Sequence, residues 1–228
     1  MIEERLGHIL QLVIEKAVET GEPVGSQFLV DECGLDVSPA TVRNYFAALE
    51  EGGYIMHPHT SSGRLPTEKG YREYVTNLMR SKNLNKKEAG LLSEASKATK
   101  EDNLRLKSMA KMAAELSENA VILGLGSSDS YYTGLTNLFS QSEFKDWNRI
   151  VSMSDVLDRL DDVLTKLRHV RFEDPTTLIG EECPFGSMCG SVVVTTQQGC
   201  LIGILGPMRM DYAQAISLMK KMQELLTI

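Results

Sequence analysis

The chain has 228 residues, is 42% hydrophobic and carries a net charge of -7, which is enough apolar material for two modest cores. The charge has the wrong sign for indiscriminate adhesion to nucleic acid, whose strength grows with the phosphates that Lys and Arg neutralise. No apolar run approaches the ~20 residues that span a bilayer, and Glu3, Glu4 and Arg5 stand where a secretory leader would be basic and then apolar. A mature cytoplasmic protein without membrane contact is therefore expected.

In chain order, Leu6, Ile9, Leu10, Val13, Ile14 and Ala17 recur at helical spacing over 2–20, and Gly21 stops that helix. Ser26 is the expected cap of a short second helix over 27–32, closed by Gly34. Ser38 caps the next helix and Pro39 occupies its first position, where the missing N–H costs nothing. In that helix Val42, Tyr45, Phe46 and Leu49 fall on one side, while Ala40, Asn44, Ala47 and Glu51 fall opposite with Thr41 and Arg43 on the flanks. A helix end showing small residues with Thr, Arg and Asn fits a major groove, where Arg reads guanine and Asn reads adenine.

Gly52 and Gly53 then break the helix, Tyr54-Ile55-Met56 reads as a strand, and Leu65-Pro66 begins the return. Between them lies His57-Pro58-His59-Thr60-Ser61-Ser62-Gly63-Arg64, a loop of hydroxyls with a basic end. Hydroxyls and backbone N–H groups bind phosphate, and an arginine on such a loop can reach phosphate or the minor groove. Helix, turn, helix and basic hairpin together read as a winged helix-turn-helix. Charge supports one docking face: over 1–37 Arg5 and Lys16 face eight acids, whereas over 38–80 Arg43, Arg64, Lys69, Arg72 and Arg80 face Glu50, Glu51, Glu68 and Glu73. His57 and His59 lack a Cys or acid at ligand spacing and read as loop histidines rather than metal ligands.

Thr67 caps a helix through Tyr71, Tyr74, Val75 and Leu78, and the polar stretch 81–86 marks a domain boundary. Helical patterns over 87–99 and 104–117 suggest a helical linker over 81–119. The Met109, Met112, Ala113 and Leu116 stripe of the second suits either a core or a homodimer seam. Residues 120–125 read as a strand and 126–130 as a turn. Helices are expected over 136–139, 143–147 and 153–167, the last capped by Ser152 or Ser154. Strands are expected over 170–172, 177–179, 191–196 and 201–205, with a closing amphipathic helix over 211–226. The fold class is α+β. Gly124-Leu125-Gly126 lacks the third glycine and the helix of a dinucleotide fingerprint.

Three ordered runs carry a family resemblance: TGEPVGS at 20–26, SPATVRN at 38–44 and PHTSSGRLPTEKGY at 58–71, joined by YTGLTNLF at 132–139 and ILGPMRMDY at 204–212. In these the chain resembles the HrcA-type heat-inducible transcription repressors of bacteria. The resemblance implies a repressor that binds an inverted-repeat operator of chaperone operons as a homodimer, with activity modulated by the chaperonin and with a GAF-like C-terminal domain over 120–228. It places DNA-binding roles on Gln27, Ser38, Ala40, Thr41, Arg43, Asn44, Tyr45, His59, Thr60, Ser61 and Arg64. Gln27 stands where the family pattern has Arg, and Tyr45-Phe46 where it has an acid and Met. Family members are also longer, so the GAF-like domain is expected truncated and without the inserted dimerising domain. That would leave the 104–117 helix or the closing helix to pair two copies, and little room for a ligand pocket. The alternative is a winged-helix regulator of another regulon with a ligand- or protein-sensing C-terminal domain. His8 and His169 lack a nucleophile arrangement, so neither catalysis nor a cofactor is expected.

Overall fold

The computed structural model describes residues 2–58, 63–126, 129–145 and 147–226. The fold is α+β, and its chain divides into two compact units, Met1–Arg80 and Ser81–Ile228.

The first unit is built on α1 (Glu4–Thr20), α2 (Ser26–Cys33) and α3 (Pro39–Glu51). The 3.6-residue stripe of α1 buries Ile9, Leu10, Val13, Ile14 and Ala17. Gly21, at φ 70°, turns the chain out and donates its N–H to the Ala17 carbonyl at 2.9 Å. The cap of α2 is Gly25 rather than Ser26, because the helix starts one residue earlier and the serine enters its first turn, nearly buried. Ser38 does cap α3, its hydroxyl accepting from the Thr41 N–H at 3.1 Å. Beyond α3, β1 (Ile55–Met56) and β2 (Leu65–Pro66) pair antiparallel. The helix α4 (Glu68–Glu73), capped by the Thr67 hydroxyl, widens into a π turn over Tyr74–Leu78.

The second unit carries a five-stranded antiparallel sheet in the order β4-β3-β7-β6-β5, formed by β3 (Ala120–Gly124), β4 (Ser130–Thr133), β5 (Thr176–Ile179), β6 (Cys189–Thr195) and β7 (Leu201–Pro207). The three inner strands are buried almost throughout, so helices must cover both faces. On one face Ala120, Ile122, Leu201 and Leu205 join Leu138 of α7 (Leu135–Phe139), Met153 of α8 (Trp147–Asp158), and Leu160 and Leu164 of α9 (Leu160–Arg168). Strand alternation sends Val121, Leu123, Ile202 and Ile204 the other way, toward α6 (Asp102–Ser117) and α10 (Tyr212–Leu226), with α5 (Lys86–Lys97) packed on both helices. Two close approaches fix that side. Tyr212 donates to the Met208 carbonyl at 2.8 Å, and a Cβ on Gly190 would fall 2.0 Å from the same hydroxyl oxygen.

Several expectations change. Residues 81–119 do not form a linker: α5 and α6 are walls of the second unit. Lys82 pairs with Asp211 at 3.0 Å, Gln214 donates to the Leu116 carbonyl at 3.0 Å, and Arg105 donates to the Leu225 carbonyl. Met109 and Ala113 of α6, like Ala215, Leu218, Met219 and Met222 of α10, are buried inside this unit, while Met112, Leu116 and Leu225 of the same stripes are half-buried. Ser130, expected as the end of a turn, instead begins edge strand β4, which runs to Thr133. Residues 170–172 form no named strand, although Phe172 exchanges hydrogen bonds with Thr195 of β6. The helix expected over 153–167 is two, interrupted at Arg159 (φ -107°, ψ 24°) so that α9 can turn Leu160 and Leu164 into the core. Ser152 and Ser154 lie inside α8 and donate back to the Asn148 and Ile150 carbonyls instead of capping it.

Candidate nucleic-acid interface

The first unit presents α3 with one side in the core and one side open. Val42, Phe46 and Leu49 are fully or almost fully buried, and Tyr45 is half-buried rather than a full member of that face. Ala40, Arg43, Asn44 and Ala47 are exposed together on the opposite side, and Ser38 is exposed at the helix start. Thr41 is half-buried, its hydroxyl 3.0 Å from that of Ser38, so the cap also fixes a second side chain at the helix entrance. This end of α3 combines the partial positive charge of a helix N-terminus with Arg43, in a helix that carries no acid before Glu50. The small residues Ala40 and Ala47 let a partner approach the helix closely, and the Arg43 and Asn44 side chains can donate and accept at base edges.

The hairpin beyond α3 is braced at its base. Thr67 donates to the Gly53 carbonyl at 2.6 Å and Lys69 to the Gly52 carbonyl at 2.7 Å, with the Lys69 ammonium 4.5 Å from the Tyr54 ring centre. Arg64 makes a two-way backbone bridge with Val24, both N–H to O distances being 2.9 Å, so the segment between α1 and α2 acts as a third short strand. Gly63 permits this approach, since a Cβ there would come within 2.7 Å of the Pro23 backbone. The Arg64 guanidinium turns inward: its Nε donates to Glu50 Oε2 at 3.1 Å and Nη1 to the Gly63 carbonyl at 3.4 Å.

Of the residues singled out from sequence, the structure brings Ser38, Ala40, Thr41, Arg43 and Asn44 to one end of α3. Gln27 stands apart on α2, exposed, its amide donating to both carboxylate oxygens of Asp31 at 2.9 and 3.0 Å. Arg64 stands at the hairpin base, held to α3 rather than pointing free as a basic tip. His59, Thr60 and Ser61 lie outside the described residues. His57 is exposed with Nδ1 2.8 Å from the Pro58 carbonyl, which suits an Nδ1–H donor. Sequence reasoning missed Glu50, counted there only as an acid opposing DNA, and missed Pro23 and Val24. The one signal for the latter was β-branched Val24 beside a proline, which suits an edge strand.

No group of His, Cys, Asp and Glu among the described residues has a metal-holding arrangement, and no helix among them is long and apolar enough to cross a membrane.

Comparison with known proteins places this geometry in a family. The family model described as the HrcA protein C-terminal domain matches residues 66–216, well over half of the chain. The chain is 59% identical over 78 residues to the heat-inducible transcription repressor HrcA of Nocardioides sp., a match covering 34% of this chain and 23% of that protein. It is 58% identical over 78 residues to the protein of the same name from Chloroflexus aggregans, covering 34% and 21%. The chain thus spans about a quarter of the length of the curated relatives it matches. A solved structure described as a hypothetical protein superposes with a TM-score of 0.74 over 100% of this chain and 99% of that one, at 16% identity, which shows a shared fold. The family model and the motifs agree, and the chain belongs to the HrcA family.

Proposed function

We propose that the first unit is a winged helix-turn-helix that binds double-stranded DNA, with α3 as recognition helix and the β1–β2 hairpin as wing, and that the chain acts as a transcriptional repressor of heat-shock operons. The observation that carries this reading is the exposed end of α3, where Ala40, Arg43 and Asn44 stand together, opposite a face sealed by Val42, Phe46 and Leu49. The relatives' name, heat-inducible transcription repressor, supports the regulon. The second unit is read as a compact GAF-like domain over 120–228, extended by α5 and α6. An inverted-repeat operator requires two-fold symmetry, so the working form is a homodimer, cytoplasmic and modulated by the chaperonin.

The test is a binding titration with a duplex carrying the inverted repeat of a chaperone promoter. Binding tighter than to a scrambled duplex is expected, with two chains per duplex by sedimentation. Equal affinity for both duplexes overturns the specific reading, and one chain per duplex overturns the dimer.

A further inference from the structure

On the side of the sheet that carries α7, α8 and α9, the second unit contains a cavity of about 300 Å³ between α8 and the 185–189 segment that leads into β6. That volume stands at the lower end of the range in which proteins hold small organic ligands, about 300 to 1,000 Å³. Its floor and walls are Phe144, Met153, Val156, Phe185, Met188 and Cys189. Phe144, Met153, Phe185 and Cys189 are almost fully buried members of the core itself, so they are held in place by packing that does not depend on an occupant.

The lining selects a chemistry. None of the residues around the cavity is charged, so a phosphate, carboxylate or ammonium entering it would lose its hydration with nothing to replace it. Half-buried Val156 and Met188 instead offer apolar surface and a polarisable sulfur to an aromatic face, over a floor closed by two phenyl rings and the Met153 thioether, and methionine adjusts its shape to the guest. The polar groups stand at the mouth. Ser152 spends its proton on the Asn148 carbonyl at 2.9 Å, which leaves its oxygen free to accept, and Ser187 is exposed beside it. The matching ligand edge is a donor. We infer that this cavity is a binding site for a neutral aromatic small molecule with a single O–H or N–H at one end, its ring between Val156 and Met188 over the floor of Phe144, Met153 and Phe185, and its donor at Ser152. The sequence had suggested little room for such a pocket; the structure has one along α8, ahead of the interruption at Arg159. The site lies within the second unit and does not depend on DNA binding.

The probe is N-phenyl-1-naphthylamine, a neutral aromatic with one N–H that fluoresces when taken out of water, titrated into the full chain. Saturable enhancement is expected, and Met-methyl NMR should shift Met153 and Met188 while Met109 and Met219, on α6 and α10, stay put. Val156→Trp fills the cavity and should weaken the probe by at least about tenfold, with unchanged Met109 and Met219 signals showing that the fold is kept. Ser187→Trp, at the exposed mouth, gives the same reading should Val156→Trp fail to fold. Absence of saturation up to the solubility of the probe, shifts centred on other methionines, or undiminished binding in the folded variant would each overturn the site.

Discussion

Arg64 Nε donates to Glu50 Oε2 at 3.1 Å, across fourteen residues of chain, and thereby ties the hairpin base to the last turn of α3. With side chains 20% and 37% exposed, the pair is screened and contributes on the order of 0.5 to 1 kcal/mol. A double-mutant cycle of Glu50→Gln and Arg64→Ala on unfolding free energy should return a coupling of that size. The same geometry decides the salt dependence of DNA binding. An arginine engaged with Glu50 is not neutralising a phosphate, so Arg64→Ala should lower affinity by misplacing the hairpin while leaving the slope of log affinity against log salt unchanged. A fall in slope of about 0.9, one phosphate contact, would mean that Arg64 leaves Glu50 for the backbone of the duplex.

Arg43 is exposed near the N-terminal end of α3, a helix that carries no acid before Glu50. In the proposed complex Arg43→Ala should cost roughly 1 to 3 kcal/mol on the cognate operator and relax preference at one base position. Titrations against a set of singly substituted operators distinguish the roles: an equal loss on every sequence marks a phosphate contact, and a loss confined to sequences with the preferred base marks a base contact.

What was legible in the sequence is what local rules decide. The buried face of α3 follows from Val42, Phe46 and Leu49 at helical spacing, and its start from Ser38-Pro39, because caps and periodicity act within one or two turns. Non-local pairings were not legible. Nothing near Arg64 announces Glu50 or Val24 as its partners, and the interruption at Arg159 has no glycine or proline to mark it, since the core's claim on Leu160 and Leu164 produces it. Strand β4 was hidden for a related reason. It is short and lies on an edge, so its side chains are half-exposed and leave no apolar run to read.

Two glycines make opposite predictions from one substitution. A Cβ on Gly70 would lie 2.1 Å from the Tyr54 carbonyl oxygen, a backbone atom that also accepts the Thr67 N–H at 3.0 Å. Gly70→Ala must therefore push α4 off the hairpin and should cost at least about 2 kcal/mol. Gly90, inside α5, has nothing beyond its chain neighbours and its own helix backbone within 4 Å of its would-be Cβ. There alanine removes backbone freedom from the unfolded chain at no steric cost and should add about 0.5 to 1 kcal/mol. Urea denaturation followed by circular dichroism measures both, and a neutral Gly70→Ala would show that α4 does not rest on the Tyr54 carbonyl.

The buried thiols set an alkaline limit. Burial pushes Cys183 above the ordinary thiol range, against hydrogen bonds from the Phe185 backbone and Ser191 that pull the other way. Burial likewise pushes Cys189 far up, helped by the negative charge that Cys183 and Glu143 would place beside its thiolate. In the unfolded chain both thiols titrate near about 8.5. Above that pH the unfolded state sheds protons that the folded state keeps, so the unfolded state binds fewer protons and stability falls as pH rises. The loss begins near the ordinary thiol value and continues toward the raised folded values; below it the contribution is constant. Cys183→Ser with Cys189→Ala should flatten the decline in melting temperature between about pH 8.5 and 10.5 relative to the native sequence, whatever its effect at neutral pH. An equally steep decline in the double variant would assign the alkaline loss to other groups. The same burial predicts an order of reactivity toward a thiol reagent in the folded protein. Cys200, which is partly exposed, should react ahead of buried Cys183, which should react only at the rate at which the second unit opens.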